Sequence, residues 1–198
     1  MSDIAEHRRA EQRMQRNARI AFVLFAAWYV GRPVFNPFHY VVLRDIILAT
    51  HETGHLLFMP FGEFMMVLGG TLFQVVFPLV FVGYFAYRRD AYAASILTLW
   101  VAFALTDAAL YIGDARARQL PLLGGDPSGH DWTFLLVQAG LLERDRAIAG
   151  VVRSAGLLIY VAAVVAALYA GWWQGRSGAA AAERDRRPVV VASGWTER

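Results

Sequence analysis

Two histidines and a glutamate in Thr50-His51-Glu52-Thr53-Gly54-His55 have the types and the spacing for metal chemistry. Positions four apart on a helix share a face, so His51 and His55 can grip one ion. Glu52 then stands beside that ion, placed to move a proton. Zinc is the cofactor this pattern favours. A catalytic zinc site needs a third protein ligand and one position left for water. Glu52 is the general base for that water and returns the proton to the leaving amine. The bland alternative is a polar helix face satisfied by hydrogen bonds to its neighbours. Such a face is expensive in apolar surroundings without a purpose, which favours the metal.

The surroundings are apolar. The chain has 198 residues, of which 57% are hydrophobic and only 18% charged. A water-soluble domain of that length carries more charge, so the composition points to an integral membrane protein. The chain has no cysteine, which excludes thiolate ligands and a cysteine nucleophile. All nineteen basic residues are arginine, and the net charge is only +3. The arginines cluster at the ends of apolar runs, where they act as topology and headgroup anchors. The bilayer is therefore the expected partner, and nucleic acid is not.

The elements that must position the motif follow from the breaks between apolar runs. Residues 1–19 form a basic N-terminal segment, and Ile20 to Val30 begin an uncleaved first membrane helix. No small-x-small cleavage site follows that run, so a signal peptide is the weaker reading. Pro33 to Pro37 break the chain. A helix from about His39 to Met59 then carries the motif, interrupted by Arg44 and Asp45. It either spans or dips in and returns. Further helices are expected over Glu63–Tyr87, with a kink at Pro78, and over Ala91–Ile112. A short one is expected over Asp131–Leu142, and a last span over Ala147–Trp173. Together, 20–173 form the membrane-embedded domain, and the Gly-, Ala- and Arg-rich residues 174–198 read as a disordered tail. The predicted fold is all-α: a polytopic membrane helix bundle with four to five spans. The arginines before the first span suggest a cytoplasmic N-terminus, in a bacterial inner (plasma) membrane.

The third ligand is open at this stage. Asp107, Tyr111 and Asp114 fall on one helix face, and that face must meet something polar. Asp114 stands beside Gly113, where backbone can approach a metal closely. His130 is its rival, following a Gly/Pro-rich loop. Asp131, Asp126 and Asp107 complete the candidates. Asp131 also reads as the N-cap of the short helix, and Asp107 as a buried carboxylate paired with an arginine such as Arg44. Asp107 and Asp131 are further expected to hydrogen-bond the ligands from behind.

His51-Glu52-Thr53-Gly54-His55 resembles the motif of the site-2 protease class of intramembrane zinc metalloproteases. Gly69-Gly70-Thr71-Leu72-Phe73-Gln74 is similar to the small-residue and amide motif on that class's next helix. The resemblance covers roughly residues 40–132. It implies an intramembrane endopeptidase acting on membrane-anchored proteins or peptides, with Gln74 and Gly70 against the substrate. It also implies a third ligand from an Asn…Leu-Asp-Gly segment, whose nearest counterpart runs from Asp107 to Asp114. There Asp114 is followed by Ala115 rather than glycine, and Asp107 stands where the asparagine is expected. A metal-binding membrane protein without proteolysis, and a membrane hydrolase of a small or lipid-like substrate, are the alternatives.

Overall fold

The structure is a computed structural model that describes residues 2–123 and 129–184. Among these residues the chain forms six α-helices and no strand: α1 (Ser2–Phe35), α2 (Leu43–Phe58), α3 (Glu63–Tyr87), α4 (Ala91–Gly113), α5 (Asp131–Gln138) and α6 (Asp145–Arg184). Four of them contain stretches long and apolar enough to cross a membrane: Glu6–Phe35, Glu63–Tyr87, Ala91–Gly113 and Leu142–Trp173. The protein is thus an all-α membrane helix bundle. Helix α2 has 16 residues. At 1.5 Å per residue it is about 24 Å long, short of a hydrocarbon core of about 30 Å. It starts at Leu43, later than the sequence suggested, because Asn36 to Val42 are taken up by turns. Helix α6 continues to Arg184, past the boundary at 174 expected for the tail; residues 185–198 lie outside the described residues.

Side-chain contacts fix the directions of the spans. Midway along α1, Arg16 lies over the Trp172 ring at 4.6 Å, and the carbonyl of Arg19 accepts from the Tyr92 hydroxyl at 3.0 Å. At the other end, Arg153 donates to the carbonyl of Val34. The middle of α1, the first turn of α4 and the last apolar turn of α6 therefore share one level of the bundle. The ends of α1 and α4, the starts of α3 and α6, and the short helices α2 and α5 gather at the opposite face. Large apolar side chains such as Phe25, Trp28, Val80, Leu158 and Val165 stay exposed on the outer surface, as they do in contact with lipid.

Helix α4 is the hub. Leu99, Ala102, Phe103 and Ala104 are buried against Val30 and Val34 of α1, Ile47 of α2, and Tyr160 and Ala163 of α6. Small residues set the spacing, because apolar lipid gives helices no hydrophobic reason to associate and close packing must hold them. A Cβ on Gly156 would lie 2.7 Å from the Thr106 methyl. The same logic joins α2 to α3. A Cβ on Gly54 would overlap the carbonyl of Gly69, and one on Gly69 would stand 2.7 Å from the Gly54 carbonyl and 2.6 Å from Phe58 Cβ. Helix α3 runs on through the buried Pro78.

Replacing Gly69 by alanine should therefore lower thermal stability in detergent, by about 1–3 kcal/mol for overpacking. Gly83 on the same helix has nothing within 4 Å of a Cβ. Gly83→Ala should leave the melting temperature unchanged or raise it, since alanine is the better helix former. Equal destabilisation by both substitutions would show that the α2–α3 contact is not what glycine is there to allow.

Candidate metal centre

The site is assembled from three helices and the start of a fourth. Helix α2 supplies His51, Glu52 and His55 from successive turns. His51 is buried and His55 half-buried, with ring centroids 4.8 Å apart. Helix α3 lies directly against them. A Cβ at Gly70 would stand 2.6 Å from His51 Nε2 and 2.7 Å from His55 Nε2, so only glycine leaves room for the two rings.

Each imidazole is held from behind by its Nδ1. Gln74 is buried, and its amide nitrogen donates to the carbonyl of Ala104 at 3.1 Å. That bond turns its oxygen toward His51, and His51 Nδ1 donates to it at 2.8 Å. His55 Nδ1 donates to the carbonyl of Met66 at 2.9 Å. With the proton fixed on Nδ1 in both rings, both Nε2 atoms face inward as ligand lone pairs.

They face Asp131. Its Oδ2 is 2.9 Å from His51 Nε2 and 3.3 Å from His55 Nε2. The three ligand atoms all lie within 4.8 Å of one another. Donors about 2.0–2.1 Å from a tetrahedral zinc are about 3.3 Å apart, so the spacing and the two-nitrogen, one-oxygen set both fit that ion. Without a cation the three acceptors can sit together only if protons come between them. Accordingly His55 is raised from its ordinary value of 6.5 to about 9, mainly through its hydrogen bond to Asp131. Burial pushes the Asp131 carboxyl upward, and the hydrogen bonds from His51 and His55 outweigh it to leave the group below its usual range.

Asp131 is the first residue of α5, and that helix is clamped from both sides. Its backbone N–H donates to the Tyr111 hydroxyl at 3.1 Å. Trp132 Nε1 donates to Thr71 Oγ1 on α3 at 3.0 Å, and the Thr133 hydroxyl donates to the carbonyl of Ala115. The N-cap is His130, whose Nδ1 accepts from the Thr133 N–H, rather than Asp131 as the capping preference suggested. Asp131 is thereby free to point its carboxylate at the histidines.

Asp114, the leading sequence candidate for the third ligand, is engaged elsewhere. Its two oxygens accept from the N–H groups of Gln119 and Leu120, at 3.0 and 2.9 Å, and close the turn after α4. His130, the second candidate, is buried with its Nε2 3.4 Å from Asp114 Oδ2 and its ring packed on Tyr111. Those two residues brace the base of α5 instead of meeting His51 and His55. Asp107 is paired with Arg44 at 3.0 Å, and Arg44 also donates to the carbonyl of Pro37 at 2.6 Å. Gln74 has both ends of its amide committed, and Gly70 lies beneath the rings. Asp126 falls outside the described residues.

A cavity of about 480 Å³ opens onto the cluster. His51, Glu52, His55 and Asp131 form its polar floor, with Tyr111, Arg44 and Asp107 alongside. Leu120, Leu122 and Leu123 form an apolar wall. Glu52, one residue after His51, stands about 100° around the helix from it and lines the same cavity.

No protein-family model, curated protein or solved structure matches this chain. What the cluster can hold therefore follows from its donor atoms.

Sequence reasoning gave Tyr111 no role, though its position on the Asp107–Asp114 face was visible. The carbonyl of Met66 carries no side-chain signal at all.

The purified protein should carry about one zinc ion per chain by elemental analysis. Asp131→Ala should abolish that content, while Asp114→Asn should retain it in folded protein. Gln74→Leu should weaken zinc binding about 10–100-fold, the usual effect of losing a partner behind a ligating histidine. Retention of zinc by Asp131→Ala together with loss in Asp114→Asn would reverse the ligand assignment.

The raised His55 also sets a pH dependence. A group raised by folding adds stability below its ordinary value and loses it as pH climbs through the folded value. The metal-free protein should thus become less stable between pH 6.5 and about 9. Zinc should bind more tightly over the same interval, because it no longer has to displace the His55 proton. Melting curves with and without chelator across that range check both.

Proposed function

We propose that the chain is a zinc-dependent intramembrane endopeptidase that cuts membrane-anchored proteins. One observation carries the reading. His51 Nε2, His55 Nε2 and Asp131 Oδ2 converge with both imidazoles tied from behind, and Glu52 lines the same cavity. Zinc held there by His51, His55 and Asp131 would supply a water acidified toward pKa ~7 and would polarise the scissile carbonyl. Glu52 takes the water's proton and delivers it to the departing amine. Tyr111 fixes the backbone of Asp131 and so holds the third ligand in register. A protein that only stores metal has no use for a carboxylate base beside its ligands, so Glu52 favours an enzyme over a binder.

The arginines of the first turns of α1, with Arg88 and Arg89 after α3, lie on the face opposite the site. Arginines stand on both faces, with Arg44, Arg116, Arg146 and Arg153 on the side of the site; the basic N-terminus supports a cytoplasmic assignment for the far face, in a bacterial plasma membrane, with the metal centre toward the outer side. A second reading, hydrolysis of a small or lipid-like substrate by the same chemistry, draws on the leucine wall of the cavity.

The test uses the purified protein in liposomes with a library of single-span membrane proteins, scored for new N-termini by mass spectrometry. Glu52→Gln should keep its zinc and lose about 10²–10⁴ of the cleavage rate. Full cleavage by that variant would sink the mechanism. Zinc-dependent ester hydrolysis with no new peptide ends would select the second reading.

A further inference from the structure

Beside the metal cavity, and sharing Phe38, Leu110 and Leu120 with it, lies a groove of about 590 Å³ between the end of α4 and the start of α6. Its floor is apolar and made shallow by small residues, Gly113 and Gly150 among them. Nothing lies within 4 Å of a Cβ built on Gly150, so the groove is open there. Arg146 and Arg153 line it. They are two turns apart on one face of α6, about 10 Å along the axis, within reach of one shared group.

The carboxylates nearby do not neutralise them. Asp145 is taken by Arg116 at 2.8 Å, and Glu143 by the same guanidinium at 2.8 Å. Asp114, which also lines the groove, is filled by two backbone N–H groups and faces His130. Among the described residues Arg153 makes one long bond, 3.4 Å, to the carbonyl of Val34. Among the described residues the Arg146 guanidinium has no hydrogen-bond or ion-pair partner. Two cations above an apolar floor, level with the ends of α1 and α4, match one kind of occupant. It must be anionic at the top and hydrocarbon below.

We propose that this groove binds an anionic glycerophospholipid, its phosphate over Gly150 between Arg146 and Arg153 and its hydrocarbon against the apolar floor that Ala109, Leu110 and Ala149 form. The shared Phe38 and Leu120 would place that lipid against the wall of the metal cavity. The inference does not depend on what the metal centre does.

Native mass spectrometry of the full chain, released from mixed phosphatidylglycerol and phosphatidylcholine, tests it. Phosphatidylglycerol should be retained preferentially. Arg146→Ala with Arg153→Ala should weaken its retention about thirtyfold, the loss of two guanidinium contacts at the membrane surface. Gly150→Leu should also displace it, by filling the groove while leaving every charge in place. Unchanged retention in Gly150→Leu, equal retention of phosphatidylcholine, or full competition by soluble glycerol phosphate would each overturn the proposal. Because Gly150 faces open space, its variant remains informative even where the double arginine variant fails to fold.

Discussion

The contact of α2 with α3 through Gly54, Gly69 and Gly70 is the constraint on which the site depends. Backbone meets backbone there, with the Gly54 and Gly69 carbonyls lying where any side chain would have to go. Only that approach puts the His51 and His55 rings over Gly70 and brings Gln74 and the Met66 carbonyl within hydrogen-bonding distance of their Nδ1 atoms. A wider spacing would leave the Nδ1 atoms of the buried His51 and the half-buried His55 without their partners on α3. Packing and polar satisfaction are therefore one requirement in this protein. Glycine supplies the first, and the second follows from it.

That requirement explains which parts were legible in the sequence. Long apolar runs ended by Arg, Pro and Gly mark membrane helices whatever their neighbours are, and α3 begins and ends at Glu63 and Tyr87 as its run does. The Arg44–Asp107 pair was also readable, because two opposite charges in apolar segments have few ways to be accommodated. The motif itself follows from helical spacing alone. The third ligand does not. Asp114, His130 and Asp131 all carry suitable atoms, and the choice turns on where the chain goes between α4 and α5. Asp114 does not join the histidines because the turn after α4 offers it two N–H groups. Asp131 is gained because His130, one residue earlier, takes the cap. A shift of one residue in the helix start exchanges the roles of these neighbours, and capping preferences do not resolve a single residue.

Depth imposes the last condition. The polar contacts of the site reach from Met66, near the start of α3, to Gln74, about 16 Å along that helix from Glu63. Polar groups at such a level need partners, or water that the hydrocarbon core does not provide. The cavity answers this with Arg44, Asp107, Glu52 and Tyr111 along one side and with leucines on the other. The ion pair of Arg44 and Asp107 belongs to that polar side, and Arg44 also ties down the carbonyl of Pro37 between α1 and α2. Arg44 and Asp107 satisfy one another there, so that side of the cavity is polar while these two charges stay paired. Asp107 is thereby held by its partner, as Asp114 is by its turn, while the Oδ2 of Asp131 meets the two imidazoles.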